Sequence, residues 1–395
     1  MSLPEKVKIN LPPKLMSRAP WPSSGKEVGQ KFGPAKKSCE SSHFFFAYAH
    51  AGLFRVLEIM HQQGSRIVYL PAFICDVVAL AIRQAGLVPR YYAVDSCFRI
   101  LWPSLRKVAS GEIFLSVNYF GLQIDTAEVR NFCRKKKLFW IHDNSHGFAC
   151  RRGAIDLGNF GDISLTSFRK VLPARNGAVV QINHPHLRAL LSHDLMADRD
   201  LRAEPGRWKF ATKQILRPIL PWILRLPDFT QPCKPTAPSV MAYRADPRAR
   251  RIFLRADRHR IRTQRRHNYR ALQTLWLGGK YPFAKPAVSA LPPGSSPLVF
   301  PLRIPDLQAW RAFLQTARRK RLDAHTWPTL PSKVLRQSTH GAKRLWASTV
   351  FLPVHQDLTS QELVGRVSKV ADLVMTELGL RSLQKKGKRP ARTGK

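Results

Sequence analysis

No apolar run in the sequence is long enough to cross a bilayer: Arg, Lys or Pro interrupts each one well before the roughly 18 residues that a spanning helix needs. Cysteine is sparse and scattered. Cys39, Cys75, Cys97, Cys133, Cys150 and Cys233 form no CxxC pair and no metal-ligand spacing, which excludes a disulfide scaffold or a zinc module. Such usage suits a reducing compartment, so a cytoplasmic protein is expected. The opening MSLPEKVKIN has no apolar core behind its charges and does not read as a secretory signal. Neither GxGxxG nor GxxxxGK[ST] follows any strand-like run, so a dinucleotide or P-loop site is not expected. What is abundant is apolar material, 44% of 395 residues, enough for one large domain or two ordinary ones and too much for a disordered chain.

Acids are scarce too, 25 against 66 Lys and Arg, for a formal charge of +41. The excess is uneven. Residues 1–38 hold 8 Lys and Arg against 2 acids, residues 202–270 hold 18 against 4, and residues 381–395 hold 7 against none. Both ends lack a core pattern and read as flexible basic tails. They are either solvated or able to touch an anionic membrane surface. The segment WKFATKQILRPILPWILRLP (208–227) mixes aromatic, aliphatic and cationic residues, but Pro218 and Pro221 break an interfacial helix, and contact with the protein body or a second subunit is expected there. Nucleic acid is not the expected partner, because no recognition motif is present and the charge is spread out.

From residue 43 the pattern becomes regular. HFFFAYAHAGLFRVLEIMHQQG reads as a helix stopped at Gly64, and RIVYLP as a buried strand. A helix to Gly86, the strand VPRYYAVD, the strand EIFLSVNYFG, the helix TAEVRNFCRKKK and the strands LFWIHD, GDISLTSF and GAVVQI follow. Continuous apolar strands alternating with helices predict a mostly parallel sheet covered on both faces. Ligands of such sheets gather at the carboxyl ends of the strands, where Asp95, Asn118, Asp143, His146 and the Ser167–Lys170 turn fall. A basic helical stretch covers the later part of 202–270. From about 297 a strand–helix–strand–helix unit closes the chain.

Three strand ends can carry chemistry. Asp143 ends a buried strand, with His146 three residues on. Such a carboxylate needs a cation, for which a protonated ring nitrogen would serve, or else it caps the next helix. SFRK places Ser167 and Lys170 after another strand. A lysine desolvated there becomes a nucleophilic amine and the serine can donate to a phosphate, with Arg169 and Arg175 close by; the alternative is a surface turn. VNYFG (117–121) offers aromatic faces and a glycine to a flat cofactor, or simply core packing. In this order the three match the needs of a phosphate-bearing pyridine aldehyde.

At these residues the chain resembles the DegT/DnrJ/EryC1/StrS family of PLP-dependent sugar aminotransferases. YLPAFICDVVALAIRQAGLVPRYYAVD, VNYFGLQID, HDNSHGF, GDISLTSFRK with GAVV, and VFLPVHQDLTSQELVGRV carry the resemblance. It implies the α/β PLP-transferase fold of type I, with a large domain built on a mostly parallel, seven-stranded type of sheet between helices, and a smaller C-terminal α/β domain. The expected divisions are a tail at 1–38, the large domain at 39–270, the small domain at 271–380 and a tail at 381–395. It further implies pyridoxal 5'-phosphate as cofactor, Lys170 as the Schiff-base lysine, Asp143 as partner of the pyridine nitrogen and Ser167 as phosphate ligand. His146 would lie near the ring, Asn118 at a position where relatives carry His, and His50 and Cys75 in positions where relatives carry Thr and a stacking aromatic. The implied reaction transfers an amino group from a Glu- or Gln-like donor to a nucleotide-linked keto-sugar, in a homodimer. The altered motif around His50 and the basic centre motivate an alternative: a protein of this fold with weak or lost catalysis that binds anionic partners.

Overall fold

The computed structural model describes residues 43–196, 202–203, 243–337 and 341–380, with only the backbone described for 192–196 and 202–203. The two tails, the segment 208–227, Cys39 and Cys233 lie outside these residues. Strand β1 (His43–Phe46) leads into helix α1 (Ala49–Gln62), followed by β2 (Ile67–Pro71), α2 (Asp76–Gln84), β3 (Val88–Tyr92), β4 (Ile113–Val117), α3 (Thr126–Lys136) and β5 (Phe139–Asp143). A short hairpin, β6 (Arg151–Arg152) and β7 (Ile155–Asp156), precedes β8 (Ile163–Thr166), β9 (Ala178–Ile182) and α4 (Pro185–Met196). The two-residue strands β10 (Arg202–Ala203) and β11 (Tyr243–Arg244) lie beside β1. Together these build one sheet in the order β10-β11-β1-β9-β8-β5-β4-β2-β3.

Five neighbouring strands, β3, β2, β4, β5 and β8, run parallel, while β9 and β1 are antiparallel to their neighbours. This is the expected α/β architecture with seven main strands. IFLSV of β4 is buried throughout, as a strand covered on both faces must be. One expectation is corrected: residues 43–46 do not start the first helix. HFFF is a strand, because Phe44 and Phe46 are buried where β1 pairs with β9 in the register Phe44↔Val180 and Phe46↔Ala178. Gly52 lets α1 lie close to β9, since a Cβ there would come within 2.4 Å of Val180 Cγ2.

Helices α5 (Pro247–Arg255) and α6 (Arg258–Leu277) follow, where a basic helical stretch is expected. Then β12 (Lys285–Pro286), β13 (Val299–Arg303), α7 (Leu307–Arg319), α8 (Ser332–Arg336), α9 (Gly341–Ser348), β14 (Thr349–Pro353) and α10 (Ser360–Glu377) form the second unit, with a three-stranded antiparallel sheet β12-β13-β14. Helix α10 packs on both α6 and α7, which ties this unit to the first.

Side-chain caps start α3 (Asp125), α5 (Asp246), α6 (Asp257), α7 (Asp306) and α10 (Thr359). Each such cap is worth about 1 kcal/mol. Helices α1 and α2, which start at Tyr48 and Cys75, have no side-chain cap.

Candidate active site

The carboxyl ends of β4, β5 and β8 lie side by side, with Val117 paired to Asp143 and Asp143 to Leu165. A ladder of amides locks these ends together. Asn118 Nδ2 donates to Asn144 Oδ1 at 2.8 Å, and Asn144 Nδ2 donates to Thr166 Oγ1 at 3.2 Å. Asn118 Oδ1 in turn accepts from Gln123 N at 2.8 Å. Asn118 is fully buried, and protein groups occupy both ends of its amide. Its place is therefore beneath the site, fixing the strand ends, with no polar atom left for a ligand. Gly147 belongs to the same arrangement, because a Cβ there would meet Asn144 Oδ1 at 1.9 Å.

Asp143 stands on this base. Its Oδ1 accepts from Ser145 N at 2.9 Å, closing a small turn, and no cation pairs with its carboxylate among the described residues. Burying a carboxylate in this way calls for a cationic partner from outside the chain. Lys170 ends a single turn, Phe168–Lys170, directly after β8. Its side chain is exposed to solvent, while protein atoms crowd around it at longer range. Burial lowers the amine below the ordinary lysine value, Cys75 and Asp143 oppose that shift, and Arg169 adds to it. Lys170, Asp143 and Cys75 are therefore within electrostatic reach of one another.

The remaining candidates border the same cleft. Burial, with Arg169 and Lys170 behind it, holds His50 down at about 4, so its imidazole is neutral at pH 7. Tyr48 stacks on His50 with ring centres 5.3 Å apart, and the Arg169 guanidinium lies 4.9 Å from the Tyr48 ring centre. Ser167 is 2% exposed and its hydroxyl has no protein partner among the described residues. Burial pushes the Cys75 thiol up to about 11. His146 is kept neutral by burial, then by Lys170 and His325; its Nδ1 accepts from Phe120 N at 3.2 Å and its ring stacks on Phe120. Gly121 makes this turn feasible. Its φ is +72°, and a Cβ would meet Ser296 O at 2.2 Å.

Behind His146 lies an aromatic wall that local sequence did not announce. Trp327, from the second unit, is 4.7 Å from Phe73 and 5.7 Å from His146 between ring centres, and Phe351 lies beside Phe120 at 4.8 Å. A tryptophan in the Pro-rich loop TWPTLP has no periodic pattern to mark it. A separate cavity of about 150 Å³, lined by Phe98, Trp102, Tyr119 and Asp125, touches this wall through Tyr119 but does not include Lys170.

A buried acid without a cation, a crowded lysine and two uncapped helix starts at the end of parallel strands form one constellation. The profile of the DegT/DnrJ/EryC1/StrS aminotransferase family covers residues 54–192, the stretch that carries all of these but His50 and Tyr48. Over residues 54–192, less than half of its length, the chain is similar to that family. A curated relative, the dTDP-4-dehydro-2,3,6-trideoxy-D-glucose 4-aminotransferase of Saccharopolyspora spinosa, is 29% identical over 178 residues. That match spans 40% of this chain and 44% of the relative, less than half of either. Among solved structures, the aminotransferase TlmJ from Streptoalloteichus hindustanus superposes with a TM-score of 0.65 at 19% identity, covering 86% of this chain and 87% of its own. The sugar aminotransferase Spr1654 from Streptococcus pneumoniae in its PLP form superposes with a TM-score of 0.61 at 15% identity, over 84% of this chain and 87% of its own. These likenesses extend the family's fold, PLP-transferase type I, across both units. No helix among the described residues is long and apolar enough to cross a membrane.

Proposed function

We propose that this protein is a PLP-dependent aminotransferase that aminates the keto group of a nucleotide-linked sugar, using a Glu- or Gln-like donor. The observation that carries the reading is the placement of Lys170 and Asp143 at the neighbouring ends of β8 and β5, an amine of lowered basicity within electrostatic reach of a buried carboxylate with no ion pair among the described residues. These residues fit PLP. Asp143 can hold a protonated ring nitrogen through the oxygen that Ser145 leaves free. The Ser167 hydroxyl and the uncapped N–H groups at the start of α1 suit a phosphate, and Arg169 adds a positive charge. His50 and His146, both neutral, add no charge to that balance.

Once bound, PLP supplies an aldehyde that condenses with amines and a ring that accepts electrons from the donor's Cα. The chain supplies the rest. Lys170 Nζ would hold the cofactor and, once the donor's amine has displaced it, would receive the proton from the donor Cα, a role that lowered basicity favours by keeping more of the amine unprotonated. The curated relative's named reaction, amination at C4 of a dTDP-linked keto-sugar, supports a substrate of that class. Conversion of one subunit into a homodimer and a cytoplasmic location complete the reading. The alternative of a binding module with lost catalysis gains nothing from the site, which keeps both lysine and acid.

The expected result is direct. Purified protein supplied with PLP develops an absorbance band in the visible, borohydride removes it, and Lys170→Ala shows no such band. A colourless wild-type protein at saturating PLP would overturn the reading.

A further inference from the structure

Lys170 is held from one side by its own strand and from the other by the second unit. The peptide that follows it is gripped across the molecule: Gln356 Nε2 donates to the Val171 carbonyl at 2.9 Å, a contact between residues 185 apart in sequence. Gln356 Oε1 is itself held, accepting from Arg265 Nε at 2.8 Å. Arg265 is 1% exposed, and among the described residues it forms hydrogen bonds with no carboxylate. Its Nη1 is spent on the carbonyls of Pro297 at 3.0 Å and Leu298 at 3.1 Å. A buried guanidinium without a paired acid is costly to maintain. Here its donors go to two backbone carbonyls and one glutamine, and that glutamine ends on the lysine turn.

The loop carrying Gln356 is fastened along one face of α6. Asn268 Nδ2 donates to the carbonyls of His355 at 2.8 Å and Leu358 at 3.0 Å, and Gln264 Nε2 donates to Leu358 O at 3.1 Å. Ser360 Oγ donates to Asn268 Oδ1 at 2.9 Å. Gln264, Arg265 and Asn268 fall within one turn of the helix, so one face clasps a loop of the second unit and presents its glutamine to the first. The other backbone bonds of the lysine turn stay within the first unit: Val171 N and Leu172 N donate to Phe168 O at 3.0 and 2.8 Å, and Arg169 N donates to Gly177 O at 3.2 Å, next to β9.

We propose that Gln356 is a positioning residue for Lys170, holding the Val171 peptide from the second unit while Arg265 orients its amide. This rests on the reading of Lys170 as the reactive amine. Two substitutions separate the bond from the fold. Gln356→Glu removes the donor to Val171 but leaves Arg265 an acceptor, so the variant melts at or above the wild-type temperature. Gln356→Met removes the bond to Val171 without adding charge.

The test uses the full-length protein before any PLP is added. Amide hydrogen exchange of the 168–172 segment is expected to quicken about tenfold in both variants, a loosening of about 1.4 kcal/mol, with exchange in α10 unchanged. The pH profile of Lys170 acylation, followed by mass spectrometry, moves upward by about 0.5 pH unit or more in Gln356→Met, as a freer amine gains hydration. Unchanged exchange at 168–172 in Gln356→Glu, or equal quickening in α10, would overturn the proposal. Both measurements are independent of PLP, so a wild-type protein that fails to bind PLP refutes the functional reading without deciding this one.

Discussion

Asp143 and Lys170 are the side chains on which the proposed chemistry depends, and burial keeps several histidines near them neutral. His142, on the same strand as Asp143, shows how strict that burial is. It is fully buried, its Nε2 has no partner, its Nδ1 lies 3.2 Å from Ser116 Oγ, and burial holds it at about 3. A histidine whose folded value lies below its unfolded value of 6.5 binds fewer protons when folded, so stability falls as pH drops from 6.5 toward 3. His142→Leu is expected to flatten the decline of melting temperature across that window, and an unchanged decline would contradict the role given to it. The placement of Asp143, Ser167 and Lys170 at strand ends was legible in the sequence, because each stands at or just after a continuous apolar run. Asn118 was legible as a strand end but not as a buried amide, because its partners Asn144 and Gln123 are fixed only by the turn geometry. Gln356 and Trp327 were not legible, since each acts across more than 150 residues of chain.

Among the elements, β2, β4, β5 and β8 could be read from apolar runs that only a sheet covered on both faces would bury. The start of α1 could not be placed, because whether HFFF continues a helix depends on β9, more than 130 residues later. That junction also sets the site. Tyr48 and His50 sit at the start of α1, and Gly52 holds the helix against β9, with 2.4 Å between its notional Cβ and Val180 Cγ2. Gly52→Ala is therefore expected to push α1 off the sheet and destabilise the protein by about 1–3 kcal/mol, as overpacking does. Denaturant unfolding measures this. PLP affinity is expected to weaken in the same variant, because the helix start that suits the phosphate moves with it. A wild-type unfolding midpoint would show that α1 has room that the packing does not suggest.

At the scale of the molecule, two units meet around one cleft. The nine-stranded sheet supplies Asp143, Ser167 and Lys170; the three-stranded unit supplies Trp327 and Gln356; and α6 joins them through α10 and the loop at His355–Ser360. Much of the positive charge stays outside this arrangement. Arg258 pairs with Asp156 at 2.8 Å, while Arg262 and Arg266 bind the carbonyls of Ala149 and Pro292. Arginine here serves the scaffold as well as any anionic ligand. The account as a whole depends on one covalent attachment. Incubating the protein with PLP, reducing with borohydride and mapping the modified peptide should place a single phosphopyridoxyl group on Lys170. Attachment at another lysine, or none, would contradict it.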